Sequence, residues 1–197
     1  MTLVCGGRSA GSECRSTGCA VARYRRAVNR LRRYRYVGPA ELRRETQAAG
    51  AIIVVSRDAL DRWLAERARA ELDEPFTFVV ALDGRLRLAP RRSEHVALAA
   101  GRDVLAAGEM MFSPGAGARR VLEVTNQSTG YCPDPDCWTA VGEALDDLGL
   151  DHPGDFTVKV VFRRCPACAA RNIVREGDFT CALCESALPT EWNFPPA

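Results

Sequence analysis

The sequence predicts an α+β fold, with helices toward the amino end, a strand-rich centre and a small cysteine-rich unit at the carboxyl end. Three observations carry this prediction. Before residue 75, apolar residues recur three or four apart. After Pro75 the pattern changes to period two and to short apolar runs. Two Cys-x-x-Cys pairs then stand close together near the carboxyl end. A chain of 197 residues with 47% hydrophobic content is long enough for a well-buried core plus an appendage. The implied divisions are 1–74, an amino-terminal Cys- and Arg-rich helical region; 75–162, a central α+β domain; and 163–197, the cysteine-rich unit.

The first twenty residues are rich in Gly, Ser and Cys and show no apolar period. From Val21 to Val37 the spacing of Val21, Tyr24, Val28 and Leu31 predicts a helix ringed by arginines. Gly38 and Pro39 end it, a second helix is expected over Pro39 to Ala49, and AIIVV, Ala51 to Val55, reads as a short buried strand. Ser56 suits the N-cap of a helix from Arg57 to Leu72 striped by Leu60, Trp63, Leu64 and Ala68. The strand between these helices argues against a helix-turn-helix motif, which allows a turn of only about three or four residues there. FTFVVAL, Asp83-Gly84 and RLRLAP predict a hairpin with a type I′ turn. A helix or turn and a strand come next within VALAAGRDVLAAGEMMF, then strand RRVLEVTNQS, a helix over Trp138 to Leu148 stopped by Gly149, and strand TVKVVFRR.

Cys165 and Cys168, then Cys181 and Cys184 after twelve intervening residues, have the two-knuckle spacing of a zinc ribbon. ARNIVREGDFT is expected to form the hairpin that returns the second knuckle to the first. Four soft thiolates select Zn2+ over harder cations, and a closed four-thiolate site has no open position for water, which makes it structural. Four thiolates and one Zn2+ bring the formal net charge of +2 to zero. Cys132 and Cys137 are spaced too widely for a standard knuckle, and a second metal there is the lesser alternative. Residues 1–18 lack an apolar run fit for a signal peptide and no run is long enough to span a bilayer, so a soluble, cytoplasmic protein is expected.

Within residues 75–150, His95-VALAAGRDVLAAG-Glu109 and Ser128-Thr-Gly-Tyr131-Cys-Pro133 resemble the HSSFLAGG and SGHYRP segments of the plant IQ-motif calmodulin-binding proteins. His95, Ala100, Gly101, Leu105, Ala106, Ala107, Gly108, Ser128, Tyr131 and Pro133 agree, while Val96 and Ala97 replace the serines and Gly130 the second histidine. The resemblance implies a shared core in which His95, Ser128 and Tyr131 lie together, with Glu109. This chain has no IQ motif, so calmodulin is not implied as a partner.

Three functions are consistent with these features. The favoured one is a binding or adaptor module facing protein or nucleic acid through the Arg-rich helix 21–37, with Tyr24, Tyr34 and Tyr36 to stack on bases, and through the ribbon rim of Arg163, Arg164, Arg171 and Arg175. The second is a small enzyme using His95 or Glu109 as acid or base with Ser128 and Tyr131, against which stands their reading as a satisfied polar core. In the third, the cysteines sense redox state or zinc, with Cys5, Cys14 and Cys19 as exposed thiols.

Overall fold

The computed structural model describes residues 31–44, 48–115 and 119–195. The chain divides into two units, Met1–Arg30 and Leu31–Ala197, and every described residue belongs to the second. Ten residues of the expected helix, 21–30, lie outside the description, as do Cys5, Cys14 and Cys19. The remainder of that stretch is not helical. From Leu31 to Val37 the chain runs extended, with Tyr34 N–H donating to Val104 O at 2.8 Å, Val104 N–H to Tyr34 O at 3.0 Å, and Val37 N–H to Gly130 O at 2.8 Å. The physical reason is a period of two: Tyr34 and Tyr36 are buried while Arg33 and Arg35 face out.

Among the described residues of the stretch Pro39 to Ala49, the expected helix is replaced by a 3-10 turn, Leu42–Arg44. Strand β1, Ile52–Ile53, is a half-exposed edge rather than a buried strand. Helix α1, Arg57–Ala65, is capped as expected, Ser56 Oγ accepting from Ala59 N at 3.2 Å, and buries Leu60, Trp63 and Leu64. It stops short of Leu72 because Glu71 Oε2 takes the Ala68 N–H at 3.0 Å, and only a short α2, Arg69–Leu72, comes after it. That turn buries no side chain that would hold a longer helix down.

Strands β2, Phe76–Ala81, and β3, Leu86–Ala89, form the predicted hairpin. Its turn differs from type I′. Ala81 O accepts from Gly84 N at 2.8 Å, and of the loop residues only Gly84 has positive φ, at 76°. This is a three-residue loop in which Gly84 takes the left-handed position of a bulge. A short helix α3, His95–Leu98, leads into the long strand β4, Val104–Phe112, and β5, Val121–Thr125, completes an antiparallel sheet in the order β1-β3-β2-β4-β5. Helix α4, Trp138–Asp147, packs on β2, β3 and β4.

Consecutive strand residues point to opposite faces. Phe76 meets the Trp63 ring of α1 at 5.1 Å, and Thr77 Oγ1 donates to Ser93 O at 3.3 Å just before α3. Helices α1 and α3 therefore cover opposite faces of the sheet. The β5 edge is closed by the chain at 151–158, through Val121 N–H to Asp151 O at 2.8 Å and Thr157 N–H to Val124 O at 2.9 Å. Among the described residues no helix is long and apolar enough to cross a membrane.

Candidate metal centre

The chain reaches the cysteines past Asn126, a buried side chain that ties the end of β5 to the segments around Pro133 and Val160. Its Oδ1 accepts from Val160 N at 2.7 Å, and its Nδ2 donates to Val160 O at 2.8 Å and Pro133 O at 3.0 Å. Strands β6, Val161–Arg164, and β7, Arg171–Val174, then pair antiparallel with the first Cys pair in the loop between them. The expected hairpin between the two knuckles is reduced to one bridge, Arg175 with Asp178, and β7 pairs with β6 instead. The second pair sits in a loop of the same length closed by the Thr180–Ala187 bridge.

The two loops repeat one backbone pattern. Cys165 N–H donates to Ala170 O at 2.8 Å and Ala169 N–H to Cys165 O at 3.0 Å; in the second loop Cys181 N–H donates to Ser186 O and Glu185 N–H to Cys181 O, both at 2.9 Å. The residue after each second cysteine, Ala169 or Glu185, has φ of 61°. That left-handed residue turns the chain back so that both sulfurs of a pair face the other pair.

The four Sγ atoms lie within 4.8 Å of one another, with Cys165 to Cys184 at 3.5 Å and Cys168 to Cys181 at 3.7 Å. Disulfides require about 2.0 Å. A tetrahedron of metal–sulfur bonds of about 2.3 Å places its sulfurs about 3.8 Å apart. The residues present therefore fit a tetrahedral metal ion, and they are the one such group among the described residues. Cys165 and Cys181 are buried, and Cys184 is at the surface.

Groups around Cys181 and Cys184 favour the thiolate form, whereas at Cys168 the hydrogen bond from the Ala170 backbone, which favours the thiolate, is outweighed by the neighbouring thiols and the group is pushed up to about 12. The backbone N–H of Leu183 is the main cause that lowers the Cys181 thiol to about 6, and the Ser186 hydroxyl, 3.4 Å from Cys184 Sγ, lowers that of Cys184. Asn172, buried on β7, donates from Nδ2 to Ala170 O at 3.0 Å and toward Cys181 Sγ at 3.5 Å, while its Oδ1 accepts from Ala182 N at 3.0 Å. One amide thus braces both knuckles. Sequence reading missed it; the only local signal is a polar residue at an inward position of the short strand ARNIV.

The carboxyl-terminal segment divides between two small cores. Leu188 packs with Cys165 and Cys181, while Phe194 joins Cys132, Val160 and Phe162, with Trp192 against them. Trp192 Nε1 donates to Cys132 O at 2.8 Å, and its ring meets Tyr34 edge-on at 5.4 Å. Arg163, expected on a solvated rim, is instead buried. Its guanidinium donates to Pro189 O at 3.1 Å, Phe162 O at 2.7 Å and Thr190 O at 2.5 Å, fastening this segment to β6. Arg164, Arg171 and Arg175 remain exposed.

Each of the other predicted residues has its own surroundings. His95, half-buried, donates from Nε2 to Gly108 O at 2.9 Å, and burial lowers its pKa to about 4. Tyr131 donates to Arg102 O at 2.6 Å, Ser128 Oγ is buried without a partner, and Glu109 stands half-buried on β4 opposite Thr125. No hydrogen bond joins any two of the four. A Cβ on Gly130 would come within 2.7 Å of the Tyr36 ring, so a histidine at this position collides with Tyr36. Tyr34 and Tyr36 are 1% and 8% exposed and offer no ring to a nucleic-acid base. Cys132 and Cys137 are buried thiols, the first pushed up to about 12 and the second well above its ordinary value by desolvation, and they belong to no metal-compatible cluster among the described residues. No family model, no curated protein and no solved structure matches this chain.

Proposed function

We propose that this chain is a zinc-stabilised binding module whose partner is a protein. The observation that carries the reading is the convergence of Cys165, Cys168, Cys181 and Cys184 Sγ within 4.8 Å. Thiolates at that spacing suit Zn2+, and their ribbon-like pair of knuckles leaves no coordination position for substrate or water, so the metal braces structure. Zinc bound there adds to folding free energy on the order of 10 kcal/mol in small metal domains. A protein partner is favoured over nucleic acid because Tyr34, Tyr36 and Arg163, three of the residues expected to serve nucleic acid, are spent inside the fold. His95, Ser128 and Tyr131 are polar members of the core, the first and last held by backbone carbonyls. The test measures zinc content in the purified chain and in the Cys168→Ser and Cys184→Ser variants, alongside retention on single-stranded DNA. One zinc per chain, lost in both variants, with no salt-sensitive retention, is the expected result. A metal-free folded chain, or tight salt-sensitive retention, overturns the reading.

A further inference from the structure

Among the described residues, the central sheet has one closed edge and one open one. While 151–158 covers β5, no described segment pairs with the outer side of β1. The register shows which backbone groups that side presents. Val54 N–H donates to Leu86 O at 2.9 Å, and Ile52 stands opposite Leu88, so these are the hydrogen-bonded pairs of an antiparallel ladder. Ile53, between them and opposite Arg87, turns its N–H and C=O outward. Ile53 and Val55 are 46% and 67% exposed, an unusual apolar edge to leave bare.

Beside this edge lies a cavity of 230 Å³ between β1, β3 and α3, lined by Ala51, Ile52, Ile53, Arg87, Ala97 and Leu98. Its volume is below the range of about 300–1,000 Å³ usual for small-molecule sites and suits an inserted side chain. The side chains that line it are apolar except for that of Arg87, while its surface also presents polar atoms. The Nε of Arg87 is buried and has no hydrogen-bond partner, an unmet donor on a cation that calls for a carboxylate.

We infer that β1 and the adjoining cavity form a docking groove for an extended segment of a partner protein, which adds as a strand to β1, places an apolar side chain in the cavity and a carboxylate on Arg87. Edge-strand addition supplies affinity through the Ile53 N–H and C=O, and the cavity with its guanidinium supplies selectivity for an acidic, apolar sequence. This deepens the binding-module reading and depends on a surface separate from the metal centre.

The probe is a short fluorescein-labelled peptide of alternating threonine and valine with a central leucine flanked by glutamates. It is titrated into the zinc-loaded full chain, with backbone amide shifts followed by NMR and zinc content measured on each sample, so that loss of metal and loss of docking are read apart. Saturable binding with shifts at Ile53, Val55 and Leu98 is expected. A lysine-substituted probe, or the Arg87→Gln protein, binds about tenfold more weakly, the worth of one charge-assisted hydrogen bond. A probe N-methylated at alternate residues does not bind. Ile53→Pro removes an N–H that β3 does not use and abolishes binding; Arg87→Gln serves if that variant fails to fold. Equal binding of acidic and basic probes overturns the inference, as does the absence of shifts at Ile53 and Val55. So do concentration-dependent shifts there without peptide, which mean a second copy of this chain, and full competition by isovalerate, which means a small-carboxylate site.

Discussion

Asn172 is the most exacting test of how the knuckles are held. Asn172→Ala removes a donor to Cys181 Sγ at 3.5 Å and to Ala170 O at 3.0 Å, and strips the Ala182 N–H of its acceptor at 3.0 Å. One of these bonds goes to a sulfur that carries charge when metal is bound, and such bonds are worth about 1.5–3 kcal/mol against about 0.5–1.5 kcal/mol for a neutral pair. Outer-sphere partners of metal ligands typically carry about 10–100-fold in affinity, which converts to about 1.4–2.7 kcal/mol and agrees with that range. Competition for zinc against a chromophoric chelator measures it directly. Asn172→Asp separates the contributions: it keeps an acceptor for Ala182 N–H but sets a carboxylate beside the thiolate, so it is expected to bind zinc more weakly than Asn172→Ala despite its closer shape. If both variants hold zinc within twofold of the parent chain, Asn172 is not the brace and the reasoning fails.

Single contacts elsewhere in the fold set further expected outcomes. Arg163→Met leaves the Pro189 and Thr190 carbonyls unpaired and should lower stability by about 2–3 kcal/mol in denaturant titration, with little dependence on salt; a surface arginine would show the reverse. Ala169→Val forces a β-branched side chain into φ of 61° and should cost about 1–2 kcal/mol, whereas Ala169→Gly is tolerated. His95 has an ordinary value near 6.5 in the unfolded chain and about 4 in the folded one, so between these values the unfolded state takes up a proton that the folded state refuses. Stability should therefore fall as pH drops from about 6.5 to 4, by up to about 3 kcal/mol, and His95→Gln, which retains a donor for Gly108 O, should flatten that slope. An unchanged slope in His95→Gln would remove His95 as its cause.

The four-cysteine cluster was the most legible part of the chain because its information is local. Cys-x-x-Cys fixes two sulfurs on one turn whatever surrounds it, and two such turns at the observed separation meet. The hairpin at Asp83-Gly84 was legible for the same reason, although the sequence did not distinguish a type I′ turn from the bulged loop that forms. RRYRYV shows where local reading misleads. Its alternation was present, but the apolar spacing from Val21 to Leu31 outweighed it, and only the bridge to Val104, seventy residues away, decides for the extended form. Arg163 illustrates the same limit from the other side. A guanidinium beside a cysteine pair reads as solvated until the chain returns and adds the Pro189 and Thr190 carbonyls to the Phe162 carbonyl beside it. The proximity of His95 to Gly108 O could not be inferred from a resemblance in motif, because strand register, set by the whole sheet, determines it.

X-ray absorption at the metal edge of the purified chain tests the central claim most directly. One zinc per chain coordinated by four sulfurs at about 2.3 Å is predicted. A metal with oxygen or nitrogen ligands, or a metal-free protein with its four cysteines paired as disulfides, would contradict it.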